Sequence, residues 1–123
     1  MADKQSKPPS LSSLVIKGMQ EKKGRQIVSM DLRNIENAVT EHFIICHGPS
    51  RPHVEALAES VLETVAKESG DKPWHKEGME NAEWILIDYV DVVVHIFQED
   101  VRTFFQLEKL WDDAETKHFE SEE

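Results

Sequence analysis

Cysteine and long apolar runs are scarce in this chain of 123 residues. Cys46 is the only cysteine, which excludes an internal disulfide framework and any zinc site made of cysteines alone. No apolar stretch reaches the roughly 18 residues that a membrane-spanning helix needs. We therefore expect no interaction with a membrane, and the low cysteine content favours a reducing compartment.

Sequence motifs for phosphate and metal binding are also missing. Neither G-x-G-x-x-G nor G-x-x-x-x-G-K-S/T occurs, so dinucleotide-binding and P-loop functions lack their phosphate-binding loop. The six histidines form no H-x-x-x-H or H-E-x-x-H unit. Cys46 and His47 are adjacent in a run of strand character, where neighbouring side chains point to opposite faces and cannot form a nucleophile–base pair. Most of the catalytic sites that the sequence could encode are therefore not supported, and the motifs predict no bound cofactor.

Basic residues are few, and their distribution is uneven. The chain has 24 acidic and 14 basic residues, a formal net charge of −10 at pH 7. Residues 1–40 carry 7 basic and 4 acidic side chains, whereas residues 41–123 carry 7 basic and 20 acidic ones. Because an electrostatic grip on nucleic acid needs clustered Lys and Arg, we expect no direct DNA binding. A basic protein is the better partner, since opposite fields steer encounter.

The length suits one compact domain, which we place at residues 10–114. Residues 1–9 are polar and contain proline, which predicts a disordered segment. Residues 115–123 are predicted to form an acidic tail. The first residues, MADKQSKPPSLSS, lack both the apolar core of a secretory signal and the arginine of a transit peptide. We therefore expect a protein of the bacterial cytoplasm.

Apolar periodicity and turn residues predict the order of helices and strands. One helix runs from a Ser10 cap towards Gly24, and another runs from a Ser50 cap to Gly70. The predicted elements are a helix at 11–22, strands at 27–32 and 43–46, the helix between Ser50 and Gly70 with its apolar positions at 54–66, an edge strand at 74–78, strands at 84–89 and 92–97, and a helix at 101–114. Strands separated by helices and followed by a hairpin indicate the α/β class, with a mixed β-sheet packed with helices.

The predicted hairpin, whose strands are separated only by Val90 and Asp91, is the clearest candidate for a binding surface. A two-residue loop places Trp84 opposite Phe97 on one face. This face mixes large apolar side chains with an acid and a histidine, as binding hot spots do. Its members are Trp84, Leu86, Asp88, Val93, His95 and Phe97. The opposite face is nearly all aliphatic and needs helices packed on it.

Structural roles remain open for the same side chains. Trp84 and Phe97 are large enough to be core residues. His95 suits a buried structural histidine, and Asp88 suits an acceptor of backbone N–H groups near the turn. Asp88, Asp91 and His95 together also offer a weak site for a divalent metal ion.

Three segments of the chain, FIICHGPS, EGMENAEWILIDYVDVVVHIF and FFQLEKLWDDAE, resemble the ribosomal silencing factor family, also called the iojap family. The resemblance covers residues 31–114. It implies a small α/β domain, nucleotidyltransferase-like in fold, that forms a homodimer. It also implies a translation repressor that binds the large ribosomal subunit through a basic ribosomal protein at the subunit interface, the one numbered fourteen. The bound factor would sterically block joining of the small subunit, without catalysis.

The resemblance also implies which residues bind the partner. The positions that match family motifs are Glu77, Trp84, Asp88, Asp91, His95 and Glu108. The tryptophan would be an apolar anchor, three of the acids (Asp88, Asp91 and Glu108) would pair with Lys or Arg, and the histidine would form a hydrogen bond. Val90 departs from the family pattern, which usually has glycine there, and Phe105 replaces a frequent tyrosine.

Two alternatives to the repressor stay open. One is a degenerate nucleotidyltransferase-like enzyme with a metal or nucleotide site near Asp88, Asp91 and His95. The other is a dimeric adaptor that offers its acidic surface to an unrelated partner.

Overall fold

The structure, a computed structural model, describes residues 9–121. Its helices are α1 (Leu11–Glu21), α2 (Arg51–Ser69), α3 (Glu99–Phe105) and α4 (Leu107–Leu110). Its strands are β1 (Arg25–Asp31), β2 (His42–Gly48), β3 (His75–Glu77), β4 (Trp84–Asp88), β5 (Val92–Gln98) and β6 (Glu115–Phe119). The predicted disordered segment at residues 1–9 lies outside the described residues except for Pro9. No helix within residues 9–121 is long and apolar enough to cross a membrane.

The strands form one mixed sheet in the order β3-β4-β5-β2-β1-β6. β2 and β5 run parallel at its centre, and all other neighbours run antiparallel. The chain between the parallel strands contains α2 and the β3–β4 pair, so it returns to the sheet in the direction that a parallel neighbour needs. The predicted α/β class, a mixed sheet packed with helices in a single domain, is confirmed.

Helices α1 and α2 cover one face of the sheet. They approach each other closely at Gly18, where an added Cβ would lie 2.8 Å from the Cα of Val61. The Ser60 hydroxyl donates to the carbonyl oxygen of Gly18 at 2.7 Å. Fully buried side chains of this core include Val15, Met19, Ile44, Leu57, Val61, Ile85, Ile87 and Ile96. Because the helices close this face to solvent, the sheet side chains beneath them cannot contact a partner.

The caps of the two long helices are those that the sequence predicts. Ser10 Oγ accepts from the backbone N–H of Ser13 at 3.1 Å, and Ser50 Oγ accepts from that of His53 at 3.3 Å. Each bond satisfies a donor that the first helical turn leaves unpaired. Gly70 ends α2 with φ +79°, in the left-handed conformation that glycine adopts without strain.

The other face of the sheet has a thinner cover, made of loops and short helices. The core on this side is built from buried residues of several strands together with Leu32 and Leu107, which lie outside the sheet. Its members are Val28, Met30, Leu32, Phe43, Ile45, Val93, Phe97 and Leu107. Trp84 and Trp111 pack against this core but stay partly exposed. The margin of this face is therefore where large side chains meet solvent.

The continuous helix predicted at 101–114 is wrong. Gln106 has φ +49°, a left-handed conformation that ends α3 before α4 begins. Its backbone N–H donates to the carbonyl oxygen of Arg102 at 2.9 Å and closes α3. The break leaves Leu107 buried in the core, while Phe104 and Phe105 face solvent. Apolar periodicity does not reveal it, because glutamine favours helices and carries no turn signal.

The acidic tail predicted at 115–123 is also wrong over its first five residues, which form β6. This strand pairs antiparallel with β1, in a register that places Ile27 opposite Phe119. Phe119 packs against the core beneath the helices, whereas the remaining β6 side chains are exposed. The strand is held mainly by backbone pairing, which leaves little apolar alternation in the sequence to predict it from.

Candidate functional site

The hairpin formed by β4 and β5 has the predicted register. Trp84 pairs with Phe97 and Asp88 pairs with Val93 across the two strands. The aliphatic side chains of the hairpin lie in the core beneath α1 and α2. The mixed face points to the thinly covered side of the sheet, as the alternation of side chains along a strand requires.

Trp84 is half-buried and joins this face to the surface. Its indole ring lies 4.8 Å from the ring of Phe97 and 5.0 Å from that of Phe105, between centroids. Its Nε1–H donates to Nδ1 of His95 at 3.0 Å. One side of the indole is therefore fixed by the protein interior, and the rest reaches solvent.

His95 lies beneath Trp84 and is 4% exposed. Its ring contacts that of Phe43 edge-on, with centroids 4.7 Å apart. Burial lowers the pKa of His95 to about 4, so the ring is neutral near pH 7. Nδ1 accepts the indole hydrogen, which leaves the ring proton on Nε2. Nε2 has no hydrogen-bond partner among the described residues, and this burial favours the structural role over direct contact with a partner.

Phe104 and Phe105, which lie in the apolar pattern of the helix predicted at 101–114, are exposed beside Trp84. Their exposed fractions are 79% and 50%, and their ring centroids lie 5.0 Å apart. We call Trp84, Phe104 and Phe105 the aromatic patch. It exists because Gln106 turns the chain between α3 and α4. The same break explains why helical periodicity failed to identify these two phenylalanines as surface residues.

A buried arginine anchors the segment that carries the patch. Arg102 of α3 is 7% exposed, and its Nε and Nη2 donate to Glu108 Oε2 at 3.0 and 2.7 Å. Its Nη1 donates to the Gln26 carbonyl oxygen at 2.9 Å and contacts His47 Nδ1 at 3.0 Å. Burial and the neighbouring guanidinium lower the pKa of His47. Glu108, a predicted partner contact, thus has an ion-pair partner within the chain.

A cavity of about 330 Å³ borders this ion pair, lined in part by Gln26, His47 and Thr103. Cys46, which precedes His47 in the sequence, lies in the core beneath α1 and α2 and is fully buried, and burial raises the pKa of its thiol to about 12. A protonated thiol that is shut off from solvent is a poor nucleophile.

Asp88 stabilises the hairpin turn. Its carboxylate accepts from the backbone N–H of Val90 at 2.7 Å. This is the role that the sequence also allowed for Asp88, as an acceptor of backbone N–H groups near the turn. Val90 has φ +79°, and the Thr40 hydroxyl donates to its carbonyl oxygen at 2.7 Å. The carbonyl oxygen of Asp91 accepts from the backbone N–H groups of Glu41 and His42, while the Asp91 side chain is exposed.

The remaining predicted contact, Glu77, lies on the edge strand β3. It is exposed, and its carboxylate binds Nε2 of His75 at 2.8 Å. Of the six predicted partner contacts, the structure brings only Trp84 and His95 into direct contact with each other. Asp88 and Asp91 lie at the hairpin turn, and Glu108 lies on α4.

The hypothetical metal site gains no support from the geometry. Within residues 9–121, no three His, Cys, Asp or Glu side chains are grouped so that they could hold a metal ion. Nδ1 of His95 is already bonded to Trp84, and Asp88 is bonded to the turn.

The sequence of the chain is similar to those of known proteins. The family described as "Ribosomal silencing factor during starvation" matches residues 4–123. Ribosomal silencing factor RsfS of Halalkalibacterium halodurans is 42% identical over 110 residues, which is 89% of this chain and 92% of that protein. The protein of the same name from Bacillus subtilis is 37% identical over 85% of this chain and 87% of its own.

The fold has solved counterparts. A crystal structure of a protein from Chromobacterium violaceum superimposes with a TM-score of 0.79 at 34% sequence identity, over 87% of this chain and 88% of that one. The sequence relatives and the structural relative each match more than four fifths of the chain. The chain belongs to the ribosomal silencing factor family.

Proposed function

We propose that this chain, a ribosome-associated regulator of translation by its family, binds the large ribosomal subunit and blocks joining of the small subunit. The contact would be a basic ribosomal protein at the subunit interface, the one numbered fourteen. The observation that carries the proposal is the aromatic patch at the thinly covered margin of the sheet. The block is steric and needs no catalysis, and the protein would act in the bacterial cytoplasm.

The aromatic patch has the make-up of a binding anchor. Trp84 and Phe105 are in ring contact, and Phe104 extends the apolar surface outward. Large aromatic side chains that are already held in place lose little conformational entropy on binding, and they dominate measured interface energies. A rigid indole beside two exposed phenyl rings therefore suits a shallow apolar site on a partner.

The charges around the patch favour a basic partner. Glu83 precedes Trp84, and Glu99 and Asp100 begin the helix that carries both phenylalanines; all three acids are exposed. The chain from residue 41 onward carries 20 acidic and 7 basic side chains. Such a field speeds encounter with a positively charged surface and disfavours naked phosphate.

We also propose a homodimer that uses a second apolar surface, at the turn end of the hairpin. Val39, Trp74 and Val90 are 79%, 76% and 58% exposed there. They line a groove of about 350 Å³ together with Asp88 and Val93. Exposed apolar clusters of this kind mark protein interaction sites, and this one lies at the opposite end of β4 from Trp84.

Two matched charge insertions distinguish the two surfaces. Phe105→Glu places a charge in the aromatic patch, and Trp74→Glu places one in the groove. The wild type should co-sediment with separated large subunits and not with small subunits or joined ribosomes. Phe105→Glu should weaken binding to large subunits at least about 30-fold, since a true anchor contributes at least about 2 kcal/mol, and should still form dimers. Trp74→Glu should prevent dimer formation and leave binding to large subunits unchanged.

Sedimentation of each variant alone, by analytical ultracentrifugation, reports the dimer. Wild type that binds none of the ribosomal particles at micromolar concentration and physiological salt would remove the proposed function. Unchanged binding by Phe105→Glu would place the ribosomal contact elsewhere on the molecule.

A further inference from the structure

The hydrogen bond between Trp84 and His95 connects the aromatic patch to the interior of the sheet. We infer that His95 is a positioning residue, which holds the Trp84 indole in the orientation that the patch presents to its partner. This role rests on the proposed function of the patch. His95 itself is too deeply buried to touch a partner, with 4% of its surface exposed.

The His95 ring is a fixed acceptor. On β5 it pairs with Ile45 of β2 on one side and Leu86 of β4 on the other, so its backbone lies between two strands. Its ring stands edge-on to Phe43 at 4.7 Å and runs nearly parallel to Phe97, with centroids 6.3 Å apart and planes at 15°. The position of Nδ1 is thus set by the sheet and by two aromatic neighbours.

The hydrogen bond to His95 gives the indole a direction that apolar contacts alone do not specify. Rotation about the bond between Cβ and the ring has two broad energy minima. The contacts of Trp84 with the rings of Phe97 and Phe105 involve no hydrogen bond, so they give the indole N–H no preferred direction. A single N–H···N bond of 3.0 Å to His95 distinguishes the two minima. Without it, a half-exposed indole would sample both orientations, and only one of them matches the patch.

A matched pair of substitutions separates the acceptor from the packing. Asparagine and leucine have nearly the same shape, but only asparagine offers an acceptor close to the position of Nδ1. We expect His95→Asn to keep the Trp84 hydrogen bond and His95→Leu to lose it. Large-subunit binding should weaken about fivefold in His95→Leu, the loss that corresponds to one neutral hydrogen bond. Binding by His95→Asn should stay within about twofold of the wild type.

Nuclear magnetic resonance detects the hydrogen bond between Trp84 and His95 in the isolated protein, so the test does not require ribosomes. The indole N–H of Trp84, assigned by its loss in Trp84→Phe, should exchange with water more slowly than that of the exposed Trp74. This protection should persist in His95→Asn and disappear in His95→Leu, while the backbone spectrum shows that both variants are folded. If Trp84 stays equally protected in a folded His95→Leu variant, the inferred role is wrong.

A double substitution tests the same coupling from the donor side and does not depend on how well asparagine fits. Trp84→Phe removes the donor, so adding His95→Leu should then cause no further loss of binding. A further fivefold loss would show that His95 acts by another route and would overturn the inference. Failure of the wild type to bind large subunits would overturn the proposed function instead, while the indole protection still tests whether His95 positions Trp84.

Discussion

At the scale of single residues, Val90 combines an unfavourable backbone conformation with a position in the proposed dimer surface. It is the only β-branched residue with positive φ among residues 9–121. A β-branched side chain strongly disfavours that region, at a cost of about 1–3 kcal/mol. Hydrogen bonds from Thr40 and to Asp88 hold the turn against this strain.

Relief of this strain should stabilise the protein. Val90→Gly is expected to raise the free energy of unfolding by about 1 kcal/mol, because glycine adopts φ +79° without a steric penalty. Urea denaturation measures the change. Val39→Gly is the control, since Val39 is an exposed valine of the same groove but has no positive φ, and it should not stabilise. A destabilised Val90→Gly variant would mean that the valine side chain contributes more through packing than it costs in strain.

His95 should make stability fall as pH is lowered. Its pKa is near 6.5 in the unfolded chain and about 4 in the folded protein, where burial disfavours the charged ring. The unfolded state therefore binds more protons between these values, so stability is complete above pH 6.5 and is lost as pH falls towards 4. His47, whose pKa is also lowered, acts in the same direction.

Comparison with His95→Asn isolates this contribution. Between pH 7.5 and pH 5.0 the wild type should lose about 2 kcal/mol more unfolding free energy than the variant. Urea denaturation at the two pH values provides the measurement. Equal losses in both proteins would show that His95 titrates in the folded state near its ordinary pKa.

At the scale of elements, the segment from α3 to α4 depends on the Arg102–Glu108 ion pair. Glu108→Ala would leave a buried guanidinium without its carboxylate and should cost about 2 kcal/mol of stability. Amide hydrogen exchange should rise in α3 and α4, and binding to large subunits should weaken because Phe104 and Phe105 lose their support.

Asp112→Ala serves as the control for this element. It removes an exposed acid just beyond α4 and should change stability by less than about 0.5 kcal/mol. Stability and exchange that respond equally to Glu108→Ala and Asp112→Ala would contradict the anchoring role of the ion pair.

The elements also show which parts of the structure are readable from sequence. The β4–β5 hairpin was predictable because alternation, strand length and a two-residue turn all point to one register, which placed Trp84 opposite Phe97 correctly. The exposure of Phe104 and Phe105 could not be predicted from the sequence, because it depends on Gln106 adopting φ +49°. β6 was missed because backbone pairing with β1, rather than apolar burial, forms most of its contacts.

At the scale of the whole molecule, acidic charge and the aromatic patch should act together. Charge speeds encounter, while desolvated aromatic contacts slow dissociation. Asp100→Lys, beside the patch, should therefore slow association with large subunits more than Glu63→Lys, which makes the same charge change on α2 across the sheet. The difference should shrink as salt rises and screening increases. Biosensor association rates at two ionic strengths measure it, and equal rates for the two variants would exclude steering at the patch.

Subunit joining is the most direct test of the central claim. Light scattering follows the association of small subunits with large subunits that have been preincubated with the protein. Wild type should lower the joining amplitude in proportion to its occupancy of the large subunit, and Phe105→Glu at the same concentration should leave joining unchanged. Full joining while wild-type protein remains bound to the large subunit would contradict the proposed steric block.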